Sequence, residues 1–251
     1  MKIVVIGGSG LIGSRLVNVL RDCGHDVVAA SPNTGVNTLT GEGLGEALKG
    51  AEVVVDVSNS PTLDGKAAMD FFATSGRNLL AAEKAGGVKH HVALSIVGTQ
   101  GVTDSGYLQG KAPQENFIKA SPIPYTIVES TQFFEFIERI AKGSEVEGAY
   151  RLSPALMQPI AAVDVVAVLA EVAQGKPANG VVEIGGPEAI PLDELAREVM
   201  SARGDPHPII ADTQARYFGA VLNDKSLIPG PNARLSNKQF GEWLRQSITA
   251  D

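Results

Sequence analysis

Two rhythms of apolar residues alternate along the chain. Short β-branched runs, such as Ile3–Ile6 and Val53-Val54-Val55, are separated by longer stretches in which apolar positions return every three or four residues. The runs suit strands covered on both faces, and the longer stretches suit amphipathic helices. The pattern predicts strands at Ile3–Ile6, Asp26–Ala30, Glu52–Val57, His91–Ile96, Tyr125–Val128 and Val181–Ile184. It predicts helices at Leu11–Cys23, Gly43–Leu48, Gly65–Ala85 and Gly106–Lys119. Further helices are expected at Phe133–Lys142, Val163–Gln174 and Leu192–Arg203, with Tyr150–Gln158 irregular or a short strand. Gly24 and Gly86-Gly87 supply helix stops, and Pro206, Pro208, Pro229 and Pro231 argue against long elements near the C-terminus.

Strand alternating with helix implies a parallel sheet with helices on both faces. The expected organisation is a dinucleotide-binding core over residues 1–131. A mixed α/β region over 132–251 completes the sheet and covers the substrate site, the two forming one compact unit.

The first strand runs directly into Gly7-Gly8-Ser9-Gly10-Leu11-Ile12-Gly13 and then a helix. Glycine is required where a backbone amide must approach a pyrophosphate without an intervening Cβ, and where the turn needs positive φ. The bare N–H groups opening the helix, aided by its dipole, then receive the anion. Gly7, Gly8, Ser9, Gly10, Leu11, Ile12 and Gly13 are therefore the candidate phosphate cradle. Cofactor choice is read after the second strand, at Ser31-Pro32-Asn33-Thr34. No acid stands there to hold adenine ribose hydroxyls, while Ser31, Asn33 and Thr34 offer hydroxyl and amide groups to a 2′-phosphate. NADP is preferred over NAD.

Tyr107 and Lys111 are four residues apart in a predicted helix, so phenol and ammonium should share a face. A nearby cation lowers a phenol's pKa toward a value useful for proton transfer. Ser95, ending the fourth strand, could hydrogen-bond a substrate carbonyl, with Thr99 as its substitute. Together Gly7–Gly13, Ser95, Tyr107 and Lys111 resemble the short-chain dehydrogenase/reductase superfamily. The segments Ser75–Ala82, Val88–Val92, Pro124–Val128, Ile160–Ala167 and Ile184–Pro187 resemble its atypical, NmrA-like, NAD(P)-binding branch. The resemblance covers residues 1 to about 200. It implies a Rossmann-type doubly wound parallel sheet with a small C-terminal substrate-binding region. It assigns Tyr107 as general acid/base, Lys111 as the group that binds the nicotinamide ribose and lowers the phenol's pKa, and Ser95 as orienter of the carbonyl. Glu129 departs from the pattern, which often has an arginine after the fifth strand.

Ligands of open α/β sheets lie beyond the carboxyl ends of the strands. That places Ser58 and Asn59 at the cofactor and Thr99, Phe133 and Phe134 at a substrate pocket. Adjacent phenylalanines such as Phe133 and Phe134 cannot share one helix face, so at least one of Phe133, Phe134 and Phe136 could be aimed at a pocket for a flat substrate, core packing being the favoured reading for each. His90 and His91 point to opposite faces of a strand, remote from the site, and are structural. Lone Cys23 is expected to be a buried filler.

Formal charge of −7 with no basic run argues against nucleic acid, and no apolar stretch reaches the roughly twenty residues of a membrane span. The expected setting is cytoplasmic, the expected partner a small molecule, no metal is implied, and a homodimer is the assembly to test for. Three functions follow: an NAD(P)H-dependent oxidoreductase acting on a carbonyl, quinone-like or aromatic molecule; a non-catalytic dinucleotide redox sensor that binds a protein; or a tailoring enzyme, such as an oxygenase, on an aromatic polyketide.

Overall fold

The structure is a computed structural model that describes residues 1–99, 101–102 and 105–249, without the side chain of Tyr107. In chain order the first elements are β1 (Lys2–Ile6), α1 (Leu11–Asp22), β2 (Asp26–Ala30), α2 (Leu44–Leu48) and β3 (Val53–Asp56). Next come α3 (Gly65–Gly86), β4 (His90–Ile96), α4 (Gly106–Gln109), α5 (Lys111–Ala120) and β5 (Tyr125–Ser130). The chain continues through α6 (Ile137–Lys142), β6 (Glu145–Val146), β7 (Ala149–Leu152), β8 (Leu156–Met157) and α7 (Ala162–Gln174). It closes with β9 (Gly180–Gly185), β10 (Ile190–Pro191), α8 (Leu192–Ala202), β11 (Ile209–Ala211), β12 (Arg216–Tyr217), β13 (Ala220–Val221), β14 (Arg234–Leu235) and α9 (Phe240–Ile248).

Two compact units are interleaved in sequence: Met1–Ser95, Gly106–Glu129 and Val165–Val182 form the first, and Ile96–Ser105, Ser130–Asp164 and Glu183–Asp251 the second.

The main sheet is parallel, ordered β14-β9-β5-β4-β3-β1-β2, and β14 pairs with Ile184 and Gly185 of β9. Because β2 and β3 flank β1 on opposite sides, the winding reverses between β1 and β3, where nucleotide crevices form. The expected doubly wound parallel α/β sheet is therefore the observed one. Strands β1 and β3 read as continuous apolar runs because helices cover both faces. Val4, Ile6 and Val54 pack on one side with Leu44, Leu48 and Leu79. Ala93 and Ile127 meet Leu80 and Ile118 of α3 and α5. Each fully buried Leu or Ile stabilises the fold by roughly 1.5–3 kcal/mol.

Three local expectations change. The helix expected over Gly106–Lys119 divides at Gly110 into α4 and α5. Pro113 has no N–H for the Gln109 carbonyl, so the helical ladder loses a rung there, although Gly110 keeps helical angles (φ −57°, ψ −31°). The C-terminal prolines all precede α9, whose Phe240 and Leu244 recur at helical spacing and are buried. Cys23 is exposed: it caps α1 beyond the buried stripe of Leu16, Val17 and Leu20.

Candidate functional site

The turn after β1 spends some of its amides on itself and leaves others bare. Gly7 and Gly8 N–H donate to the Ala30 carbonyl (2.9 and 3.2 Å), and Gly10 N–H donates to the Gly7 carbonyl (3.0 Å). Helix α1 begins at Leu11 with Gly10 as its cap, no side-chain cap hydrogen bond and no acid in its first turn. Its first ladder bond is Ser14 N–H to Gly10 carbonyl (3.0 Å), so the amides of Leu11, Ile12 and Gly13 have no helical acceptor. They lie at the positive end of the helix dipole, the arrangement that receives a phosphate.

The four glycines serve different ends. A Cβ on Gly13 would stand 2.1 Å from the Gly7 oxygen, one on Gly8 2.8 Å from Ala29 Cα, and one on Gly7, at φ +79°, 2.9 Å from Ser58 N. Packing alone therefore demands glycine at 7, 8 and 13. At Gly10 the nearest atom is 3.3 Å away, so packing demands much less. An exposed glycine at the mouth of the cradle is what close approach of a diphosphate requires. Beside the turn, Ser58 Oγ is buried and has no hydrogen-bond partner among the described residues. Bare amides, an open Gly10 and an orphaned hydroxyl together fit the pyrophosphate and neighbouring ribose of a dinucleotide.

After β2 the chain forms a tight turn over Pro32–Thr34 that absorbs its own hydroxyls. Thr34 Oγ1 donates to carbonyls of Ala29 and Ser31 and accepts from Ser31 N–H, while Ser31 Oγ donates to Asn33 Oδ1. Ser31 is buried. Of the three side chains expected to grip a 2′-phosphate, two are thus spent on the turn, and the segment still holds no acid.

Lys111 is buried, and its ammonium donates to Leu94 O (3.0 Å), Gln114 Oε1 (3.0 Å) and Ser58 O (3.4 Å). It also lies 4.3 Å from the centre of the Phe72 ring. Gln114 Nε2 donates to Asp56 Oδ2 (2.7 Å), and Asp56 Oδ1 accepts the Ser58 N–H (2.9 Å). Ser95 Oγ donates to Glu115 Oε1 (2.5 Å), and Lys119 Nζ donates to the other Glu115 oxygen (2.9 Å). The structure brings Lys111 to Ser58 and Leu94, but the Ser95 proton goes to a buried carboxylate. Tyr107 sits in α4, and its side chain lies outside the described residues.

Burial lowers the Lys111 pKa to about 8, against the upward pull of Asp56 and Glu115. An unfolded lysine titrates near ~10.4. Between those values the unfolded chain binds the extra proton, so stability rises with pH. Below pH about 8 the buried charge exerts its full cost. Unfolding free energy of the wild type, compared with Lys111→Met by urea titration, should therefore climb from pH 8 to about 10.4 and be level below that window. A difference independent of pH would mean that Lys111 is not a buried ammonium.

Asp56 and Gln114 were not anticipated. The available signals were a lone acid ending the Val53–Val55 run and a glutamine three residues beyond Lys111 on the same helix. Asn59 lies just beyond Ser58, its Oδ1 accepting the Ser60 N–H.

In the second unit, Thr99 Oγ1 donates to Ile96 O (2.6 Å). Phe134 is buried and packs against Phe240 and Trp243. Phe133 and Phe136 are half-buried and stack on each other with ring centres 5.4 Å apart. In the first unit, His90 and His91 turn to opposite faces and are buried: His90 Nε2 meets Thr126 Oγ1 (3.0 Å), and His91 Nδ1 meets Glu83 Oε1 (2.8 Å). Burial, helped by His91, lowers His90 to about 4. Among the described residues no cluster of metal-ligating side chains occurs, and no helix is long and apolar enough to cross a membrane.

No known family profile matches the chain. A photosystem II assembly factor, Ycf39 of Synechocystis, is 25% identical over 149 residues, spanning 54% of this chain and 46% of the relative. The chain thus spans about half the length of the curated relatives it matches. UDP-glucose 4-epimerase of Thermotoga maritima, solved with UDP-glucose, superposes with a TM-score of 0.76 at 16% identity, covering 99% of this chain and 98% of the enzyme. The fold is Rossmann-type. A dTDP-4-dehydrorhamnose reductase of Bacillus anthracis str. Ames, solved with NADP, gives 0.70 at 14% identity, covering 100% and 98%. Such identities establish shared architecture.

Proposed function

We propose that the chain binds a nicotinamide dinucleotide on the 7–13 turn and uses it as an oxidoreductase on the carbonyl group of a small organic molecule. The observation that carries this reading is the trio of bare amides at Leu11, Ile12 and Gly13 behind an open Gly10. Bound there, the dinucleotide would supply or accept a hydride. Tyr107 is the proposed proton donor to the carbonyl oxygen. Lys111, its three donors spent on the protein, is proposed to act through its positive field rather than by gripping a ribose. Ser95 would orient the substrate only by exchanging its bond to Glu115 for one to the carbonyl oxygen.

Similarity to the epimerase and the reductase favours keto groups of sugar nucleotides as the first substrates to try. A flat aromatic substrate loses support, because Phe134 is in the core and Phe133 stacks on Phe136. NADP remains the preferred cofactor on the absence of an acid after β2. The NmrA-like assignment rests on the segments that resemble that branch.

The test is substrate-dependent loss of NADPH absorbance over a panel of sugar-nucleotide ketones and quinones. Tyr107→Phe should lower kcat by about 10²–10⁴-fold at unchanged NADPH affinity. A panel without turnover would overturn the enzymatic reading. It would favour the second reading, a dinucleotide-sensing protein that docks on a partner. Two observations point that way: the curated relatives are assembly factors, and the Ser95 and Lys111 donors are engaged internally. The sensor is recognised by unequal affinity for oxidised and reduced cofactor in the absence of turnover.

A further inference from the structure

Helix α5 reaches the dinucleotide turn through a chain of buried hydrogen bonds with one residue at its centre. Gln114 accepts from Lys111 and donates to Asp56, so a single amide links an ammonium to a carboxylate. Asp56 in turn holds the Ser58 N–H, and Lys111 holds the Ser58 carbonyl. Ser58 is the residue on which Gly7 closes, its N atom lying 2.9 Å from the place a Gly7 Cβ would take. Lys111, Gln114 and Asp56 are all buried, so none of these bonds is replaced by water without moving the elements that carry them. The amide matches its position because it presents one acceptor and one donor. A carboxylate there would face Asp56 with like charge, and an aliphatic chain would take one acceptor from Lys111 and the donor from Asp56 Oδ2.

We propose that Gln114 is a positioning residue: it locks the Asp56–Ser58 turn against Gly7 and thereby sets the shape of the phosphate cradle from helix α5. Its importance for ligand binding rests on the dinucleotide reading above, whereas the locking itself does not. The arrangement makes α5, the helix that carries Lys111 and follows the Tyr107 helix α4, the support of the cofactor turn.

The experiment compares wild type, Gln114→Met, Gln114→Glu and the exchange Asp56→Asn/Gln114→Glu. The exchange reverses the middle bond: the new asparagine amide on β3 would donate to the new carboxylate on α5. Lys111 still finds an acceptor in that carboxylate, and the asparagine side-chain oxygen still accepts the Ser58 N–H. The first readout needs no cofactor: amide hydrogen exchange of segments 7–13 and 56–60, with strand β4 as internal reference. Both single variants should speed exchange in those two segments by about tenfold or more while β4 keeps its rate, and the exchange variant should restore protection. The second readout is NADPH fluorescence titration, where the singles should bind roughly tenfold more weakly and the exchange variant within about threefold of wild type. If Gln114→Met fails to fold, Gln114→Glu and the exchange variant carry the comparison. Unchanged protection in the single variants, or no recovery in the exchange variant, overturns the proposal. If wild type binds no dinucleotide while the protection pattern holds, the cofactor reading fails and the lock stands.

Discussion

Gly10→Leu should fold like the wild type and lose NADPH and NADH binding by at least about a hundredfold, the loss of two charge-assisted hydrogen bonds at roughly 1.5–3 kcal/mol each. Only the Gly7 oxygen, at 3.3 Å, lies near the place where a Cβ would project, and Gly10 is exposed at the cap of α1. The new side chain therefore costs the fold little but stands over the amides of Leu11, Ile12 and Gly13. Gly13→Val should behave in the opposite way. Its Cβ would sit 2.1 Å from the Gly7 oxygen, a distance no rotamer relieves, so the turn itself must open and thermal stability should fall. Fluorescence titration beside a thermal melt separates the two effects. Retention of full affinity by Gly10→Leu would show that the turn does not grip a diphosphate.

The second large effect is expected far from the cofactor. Glu83→Ala should destabilise the protein by about 3–5 kcal/mol, because it strands a buried histidine. The Glu83 and His91 side chains are 0% and 2% exposed, and both Glu83 oxygens lie within 2.9 Å of His91 Nδ1. Burial alone would lower the His91 pKa, but the carboxylate beside it, assisted by Asp56, holds it above its ordinary value. The histidine's share of the stabilisation is therefore complete below its unfolded pKa, ordinarily near ~6.5, and is lost as pH rises through the raised folded value. Burial also raises Glu83, so the folded pair retains protons that the unfolded chain releases. Urea unfolding from pH 5 to 8 should show wild-type stability declining with pH relative to Glu83→Ala. Glu83→Gln, which keeps a hydrogen bond to the ring, should cost less. A loss near ~1 kcal/mol or below would mean that the pair is solvated.

Much of the core was legible because it depends on local chemistry. The Val53–Val55 run, the alternation around Val4 and Ile6, and the stripe of Leu16 and Leu20 announce their elements through side-chain period. The glycine turn announced itself because positive φ at Gly7 and the crowding at Gly8 and Gly13 admit no other residue. The divided helix at Gly110 could also have been read, since Pro113 removes the donor that a continuous helix would need. The nine-residue α9 follows the C-terminal prolines, which bar long regular elements before it and not within it.

The candidate site was harder. Spacing placed Tyr107, Lys111 and Ser95 near one another in the chain's logic, yet hydrogen-bond partners are chosen by distance in space. Gln114 and Asp56 are 58 positions apart, and Ser95 and Glu115 are 20 apart. No periodicity encodes such pairs. Phe134 illustrates the same point, because its burial depends on Phe240, more than a hundred residues later.

The strands and helices of the sheet, the phosphate cradle and the lack of an acid after β2 are properties of short segments. They are written in residue type and period, because φ, side-chain volume and apolar rhythm act within a few residues. Which donors stay bare, which hydroxyls are consumed, and that a glutamine joins Lys111 to Asp56 arose only when β3, β4 and α5 were packed together. Burial turns each polar atom into one that must find a partner, and the identity of that partner is a matter of three-dimensional proximity.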